Sequence, residues 1–254
     1  KKILPWRNSL KNLKNIKMQK KKKIVVTGGT GRFGSVLKRD KFGYNMLFPN
    51  KKLLNITKFN TIKKYLVKTK PHCLIHLAGL SRPMQIHEKN ISKSIELNII
   101  GTANIVRACQ ILKIKLIYFS TSYVYPGTKG NYKETDPLLP SSNYAWSKLG
   151  GEAAVQMYRN SLIIRASMTE KPFVHKKAFA NVFTNFIYHE DFLKIFKKLI
   201  NKKGIINVGG KSSSVYNFAK KDNKNIRKIF MKYKNKSLMP INSSMSLKKL
   251  KKIL

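Results

Sequence analysis

Lys23-Ile24-Val25-Val26-Thr27-Gly28-Gly29-Thr30-Gly31-Arg32-Phe33-Gly34 is a short apolar run that ends in a glycine-rich turn. The run is too short for a helix and rich in valine and isoleucine, so it reads as a buried strand. The spacing Gly28-x-x-Gly31-x-x-Gly34 lets the backbone turn tightly and approach a pyrophosphate closely. The helix that opens there offers free N–H groups to the ligand's charge. A lone glycine triplet is a weak signal, but placement between a strand and a helix at the start of a domain makes it informative.

Outward from this turn the chain alternates. Tyr44 to Phe48 reads as strand two, Lys52 to Ile56 as strand three, Phe59 to Val67 as a helix, and Cys73 to Leu77 as strand four. A long helix carries Ile91, Ile95, Asn98, Ile99, Thr102, Ile105, Val106 and Cys109. Lys115 to Phe119 follows as strand five and Ser161 to Arg165 as strand six. Such alternation predicts an α/β fold, a Rossmann-type doubly wound parallel sheet covered on both faces. Ligands bind at the carboxyl ends of its strands, where the glycines, His76-Leu77-Ala78-Gly79 and Ser120-Thr121-Ser122 would share one crevice. No acid follows strand two to hold a ribose diol; that turn reads Pro49-Asn50-Lys51-Lys52. A basic turn suits a 2′-phosphate, although two lysines are also what so lysine-rich a chain would place there.

These signals divide the chain into a basic leader (1–22) outside the fold, a dinucleotide-binding domain (23–165), a short C-terminal substrate lobe (166–219) and a basic tail (220–254). Met18 looks like a natural start. The lobe should hold an amphipathic helix with Phe192, Ile195, Phe196, Leu199 and Ile200 on its apolar face, a strand at Gly204 to Val208, and a helix from Val215. Beyond Lys220 the charge density predicts a frayed or disordered end.

Tyr144-x-x-x-Lys148 places a phenol and an ammonium one helical turn apart, where the cation is expected to lower the phenol's pKa from near about 10. Such a tyrosine exchanges a proton with a carbinol oxygen near neutral pH. Tyr125 with Lys129 and Tyr216 with Lys220 share the spacing. What distinguishes Tyr144 is its position after the helix-start signal Pro140-Ser141-Ser142-Asn143, downstream of the strand that ends in Ser120-Thr121-Ser122.

The 254 residues carry a net charge of +43 and 42% hydrophobic residues, enough for a globular core. Residues 1–23 hold ten Lys or Arg and no acid, and residues 220–254 hold twelve against one. Abundant lysine, asparagine and isoleucine fit codon bias in an AT-rich genome as well as they fit a nucleic-acid site, so only non-specific contact through the basic ends is expected. Cys73 and Cys109 stand in no metal or redox spacing and suit a reducing cytoplasm; no metal site is expected. No apolar run reaches the length of a membrane span.

The ordered set of motifs resembles the extended short-chain dehydrogenase/reductases, and within them the dTDP-4-dehydrorhamnose reductases. It runs from the glycine turn through Leu54-Asn55-Ile56, His76-Leu77-Ala78-Gly79, Asn98 with Gly101-Thr102-Ala103-Asn104, Ser120 to Gly127 and Glu134-Thr135-Asp136-Pro137 to Tyr144-x-x-x-Lys148. The match covers about Ile24 to Ala219. The resemblance implies Thr121, Tyr144 and Lys148 as catalytic residues. It also implies Gly28, Thr30, Gly31, Arg32, Phe33, Gly34, Asn55, Ile56, Leu77, Ala78, Gly79, Ser120, Tyr144 and Lys148 as contacts for NADP, with NAD the alternative. Ser122 would back up Thr121, and His76 and Asn98 would be structural. Asn55 departs from the family's usual Asp, and the lobe is short.

The activity so implied is NADP(H)-dependent reduction of a 4-keto nucleotide sugar, in deoxysugar or polysaccharide biosynthesis, by a homodimer. The alternatives are a nucleotide-sugar 4-epimerase or dehydratase, and a non-catalytic NADP-binding regulatory relative. Fold alone does not choose among them.

Overall fold

A computed structural model describes residues 22–40, 43–232 and 239–254. The leader and Met18 lie outside the described residues, apart from Lys22 at the leader's end. Strands β1 (Lys23–Thr27), β2 (Asn45–Leu47), β3 (Cys73–His76), β4 (Lys115–Thr121), β5 (Ser161–Ala166) and, later in the chain, Gly204–Val208 form one sheet. Its order is Gly204–Val208, β5, β4, β3, β1, β2, and every pairing is parallel. The order turns back between β1 and β3, which places the glycine turn at the sheet's switch point.

Helices cover both faces. On one side lie α1 (Arg32–Arg39) and, from the lobe, His189–Leu199, where Phe33, Phe119, Phe192 and Phe196 pack ring on ring. On the other lie α2 (Phe59–Thr69), the segment Ile91–Ile111 and Asn143–Gln156, closing over Val25, Leu74, Leu116 and Ile163. The segment Ile91–Ile111 is helical throughout, with a π turn at Ile95–Ile100 between two α segments.

Two expectations are corrected. Lys52 to Ile56 is not a strand: Asn50 Oδ1 accepts from Leu53 N (3.0 Å) and Asn55 Oδ1 from Thr57 N (3.1 Å), so local turns take up the backbone. Its alternating apolar residues have another cause, the burial of Leu54 and Ile56 in the core beside α2.

The stretch after Lys220 is part of the fold. Arg227–Ile229 pairs in parallel with Lys177–Phe179. Residues 239–254 bury Met245 and Leu250, bridge Tyr132 to Met245, and end in the short helix Lys248–Lys251. The described lysines occupy the outer face, while Ile226, Met231, Met245 and Leu250 face inward.

Candidate active site

The glycine turn is shaped by close backbone approach. Gly28 has φ +72°, and a Cβ there would lie 2.6 Å from Ala78 N. A Cβ on Gly34 would collide with Gly28 O, and one on Gly31 would stand 3.1 Å from the same oxygen. Gly31 N donates to Gly28 O at 3.0 Å, closing the turn on itself. Thr30 is exposed at its tip and lines a recess of about 530 Å³ with Gly29, Ser35, Lys38 and Arg39. Phe33 turns its ring into the core, so only its backbone N–H in the first helical turn is available to a ligand. Arg32, at the helix start, reaches across the crevice instead, with Nη1 3.2 Å from Glu170 Oε1 and Nη2 donating to Ser81 Oγ at 3.1 Å.

At the end of β3, Ala78 N donates to Thr27 Oγ1 (3.3 Å), Leu77 packs on the core and Gly79 lies against Asn98. Asn98 holds this loop: its Oδ1 accepts from Leu80 N (2.7 Å), and its Nδ2 donates to Leu80 O (2.9 Å) and Ser147 Oγ (2.8 Å). His76 is buried between the hydroxyls of Thr27 (2.8 Å) and Thr102 (3.2 Å), and burial drives its pKa down to about 3. It is a neutral structural imidazole. Asn55 spends its side chain on Thr57, and Ile56 lies buried with its carbonyl accepting from Asn104 Nδ2 at 3.1 Å.

β4 delivers Ser120 and Thr121 to the crevice. Ser120 Oγ is buried and has no hydrogen-bond partner among the described residues. The Thr121 Oγ1 accepts from Tyr123 N at 3.3 Å and lies beside Tyr144, which stands in the first turn of Asn143–Gln156. The Ser142 side chain caps that helix by accepting from Ala145 N at 3.4 Å.

Burial raises the Tyr144 phenol above its ordinary pKa, opposed by the neighbouring Thr121 hydroxyl and by Arg32 and Arg82. The cations acting on the phenol are therefore these arginines. Lys148, expected in that role, has its Nζ 4.2 Å over the ring of Tyr118, and burial lowers its pKa to about 7 against the pull of Glu152. The expected stand-in for Thr121 is also corrected. Ser122 is fully buried and tied to Ser167 (2.7 Å) and Ser243 (3.3 Å), in a hydroxyl cluster that includes Thr184. Of the other Tyr/Lys pairs, Tyr125 donates to Asn207 Oδ1 (2.8 Å) and accepts from Arg165 Nη1 (2.8 Å) inside the protein, while Tyr216 lies beside Lys220 in the lobe.

The sequence reading missed Arg82 and Glu170, whose side chains meet at 3.7 Å. The available signal for Arg82 was a cation in the loop after a sheet strand. It also missed the buried pair Arg165–Glu152 (2.6 Å) beneath the site, which two charges in apolar segments announce.

A parallel sheet with a glycine turn at its switch point and a Thr/Tyr/Lys group at the adjoining strand end is the arrangement of the extended short-chain dehydrogenase/reductases. Residues 22–202 match the RmlD substrate binding domain, and the chain belongs to that family. It is 29% identical over 152 residues to dTDP-4-dehydrorhamnose reductase of Aggregatibacter actinomycetemcomitans, covering 58% of this chain and 51% of that protein. It is 27% identical over 143 residues to methionine adenosyltransferase 2 subunit beta of Pongo abelii, covering 53% and 42%. The match thus spans about half the length of these curated relatives. In structure it is similar to dTDP-4-dehydrorhamnose reductase from Bacillus anthracis, solved in complex with NADP, with a TM-score of 0.81, 24% identity and 91% of each chain covered.

Proposed function

We propose that the protein is an NADP(H)-dependent reductase of a 4-keto nucleotide sugar, acting in deoxysugar or polysaccharide biosynthesis, a reading supported by relatives named as a dTDP-4-dehydrorhamnose reductase and as a spore coat polysaccharide biosynthesis protein. One observation carries this reading: Tyr144 is a buried phenol beside Thr121 at the strand ends, within the field of Arg32 from the glycine turn, and burial holds its pKa above the ordinary value. A protonated phenol is the form that gives a proton to a carbonyl oxygen. Thr121 would orient that oxygen, and Lys148 would hold the ribose of the cofactor. The cofactor, when bound, supplies the hydride.

The residues fit such a group. The backbone cradle at Gly28 and Gly34 admits no side chain, a Cβ on Gly31 would meet only Gly28 O at 3.1 Å and otherwise point into open space for a ligand, and Ser120 offers an unspent buried hydroxyl. Thr30, Arg32, the Phe33 N–H, Asn55, Ile56, Leu77, Ala78 and Gly79 complete the assignment. The missing acid after β2, together with Lys51, Lys52 and the recess at Thr30 and Lys38, supports NADP(H) over NAD(H).

Incubation with a panel of 4-keto nucleotide sugars and both reduced cofactors, followed at the nicotinamide absorbance, tests the reading. Net oxidation is expected with NADPH. Product without net oxidation would indicate an epimerase. Cofactor binding without turnover would favour a regulatory relative, a reading that draws on the match to a protein named as a subunit beta.

Among the described residues no helix is long and apolar enough to cross a membrane, and both cysteines are buried and unpaired. We place the protein in the cytoplasm on that chemistry, with non-specific nucleic-acid contact through its basic ends. We also propose a homodimer through the exposed apolar face of Ile91, Ile95 and Trp146, which flanks a groove of about 400 Å³. Sedimentation of Trp146→Glu should show monomers where the parent chain shows dimers.

A further inference from the structure

Three segments distant in sequence meet at the mouth of the crevice. Arg32 comes from the glycine turn, Ser81 and Arg82 from the loop after β3, and Glu170 from the lobe just beyond the short strand Met168–Thr169. Each carboxylate oxygen of Glu170 takes one guanidinium, Oε1 at 3.2 Å from Arg32 and Oε2 at 3.7 Å from Arg82; the Thr169 hydroxyl also donates to Oε2 at 3.4 Å. One negative charge thus holds two positive ones. The three side chains are 37%, 40% and 24% exposed, so the pairing is solvent-screened and exchangeable. Paired guanidiniums match phosphate oxygens through their planar forks, and a diphosphate brings more charge than one carboxylate.

We propose that Glu170 is an internal stand-in for a ligand diphosphate: it keeps Arg32 and Arg82 together at the crevice mouth, and an arriving diphosphate displaces it. Glu170 then sets ligand affinity by competition, and its release uncouples the lobe from the glycine turn. The inference rests on the cofactor reading above only for which ligand arrives, because a dinucleotide and a nucleotide sugar both carry this group.

Dissociation constants for inorganic pyrophosphate, NADPH and dTDP, measured by calorimetry at one low ionic strength, test it. Glu170→Gln should bind pyrophosphate about three- to tenfold tighter, the effect of removing one competing charge at contact distance in a solvent-exposed site. Asp191→Asn removes the same charge from an exposed pair with Lys194 (2.9 Å) and should leave the constant nearly unchanged. Arg82→Gln alone should weaken pyrophosphate, and added to Glu170→Gln it should cancel the gain. Whichever of NADPH and dTDP shares the gain is the diphosphate the pair receives. Equal or weaker pyrophosphate binding by Glu170→Gln would overturn the proposal, as would an equal gain in Asp191→Asn. Failure of the parent chain to bind NADPH would remove the cofactor assignment and leave the pyrophosphate comparison standing as the test.

Discussion

Tyr144 and Lys148 share a helix face, yet the structure gives them different electrostatic partners, and that difference is testable. Tyr144→Phe keeps the ring against His87 (5.1 Å) and Tyr123 (6.2 Å) and removes the proposed proton donor. Turnover should fall by about a hundred- to ten-thousandfold with cofactor affinity retained, as for other general acids. Thr121→Val should cost nearly as much, because Ser122 is committed to Ser167 and Ser243. Lys148 titrates near pH 7 because burial disfavours its ammonium, so above that pH it is largely neutral in the free protein. Hydrogen bonds donated to ribose hydroxyls and nearby phosphate charge both favour the ammonium, raising its pKa in the complex. NADPH binding should therefore take up a proton between about pH 7 and the raised value, the uptake fading out over about a unit below pH 7. Calorimetry in buffers of different ionisation enthalpy would read this uptake, and Lys148→Met should abolish it. Persistence of the uptake in that variant would assign it to another group. The Tyr-x-x-x-Lys pair was legible in the sequence because helical spacing is local. Arg32 and Glu170 lie 138 residues apart, and no spacing rule reports a contact of that range.

The elements that were legible are those whose burial is continuous. β1, β3, β4 and β5 are apolar runs inside the sheet and read as such, whereas residues 52–56 imitate a strand because two of their side chains are buried from a turn. The C-terminal segment was illegible for the opposite reason. Its anchors are sparse, namely Met245, Leu250 and the hydroxyls of Ser243 and Ser244, and lysines on the outer face mask them. Ser243 reaches the Ser122 cluster directly behind Thr121, so this segment braces the site's main strand. Deleting residues 239–254 should destabilise the protein by about 3–6 kcal/mol, from exposing two buried apolar side chains' worth of core. Urea denaturation would measure it, and an unchanged midpoint would mean that the segment merely rests on the surface. Tyr125→Phe should also destabilise, because its hydroxyl joins Asn207 to the buried Arg165–Glu152 pair.

At the scale of the whole molecule the net charge of +43 acts on every anion, so specific and general attraction have to be separated by salt. Polyanion binding through scattered lysines depends on counterion release and loses about three to five orders of magnitude between 50 and 200 mM salt when six to ten phosphates are contacted. A dinucleotide presents only a few charges to the glycine turn and takes the rest of its affinity from backbone N–H groups and packing, neither of which is screened in that way. The expected outcome is that a DNA duplex binds the protein at 50 mM salt and is largely released at 200 mM, while NADPH affinity falls by about tenfold or less. Fluorescence anisotropy of labelled DNA and quenching by NADPH, on the same preparation, would follow both. Parallel slopes would make the cofactor one more polyphosphate on a basic surface. A shallow slope for NADPH, together with its loss in Gly31→Val, would locate its binding at the turn, where a Val side chain has only Gly28 O and the ligand's own space to occupy.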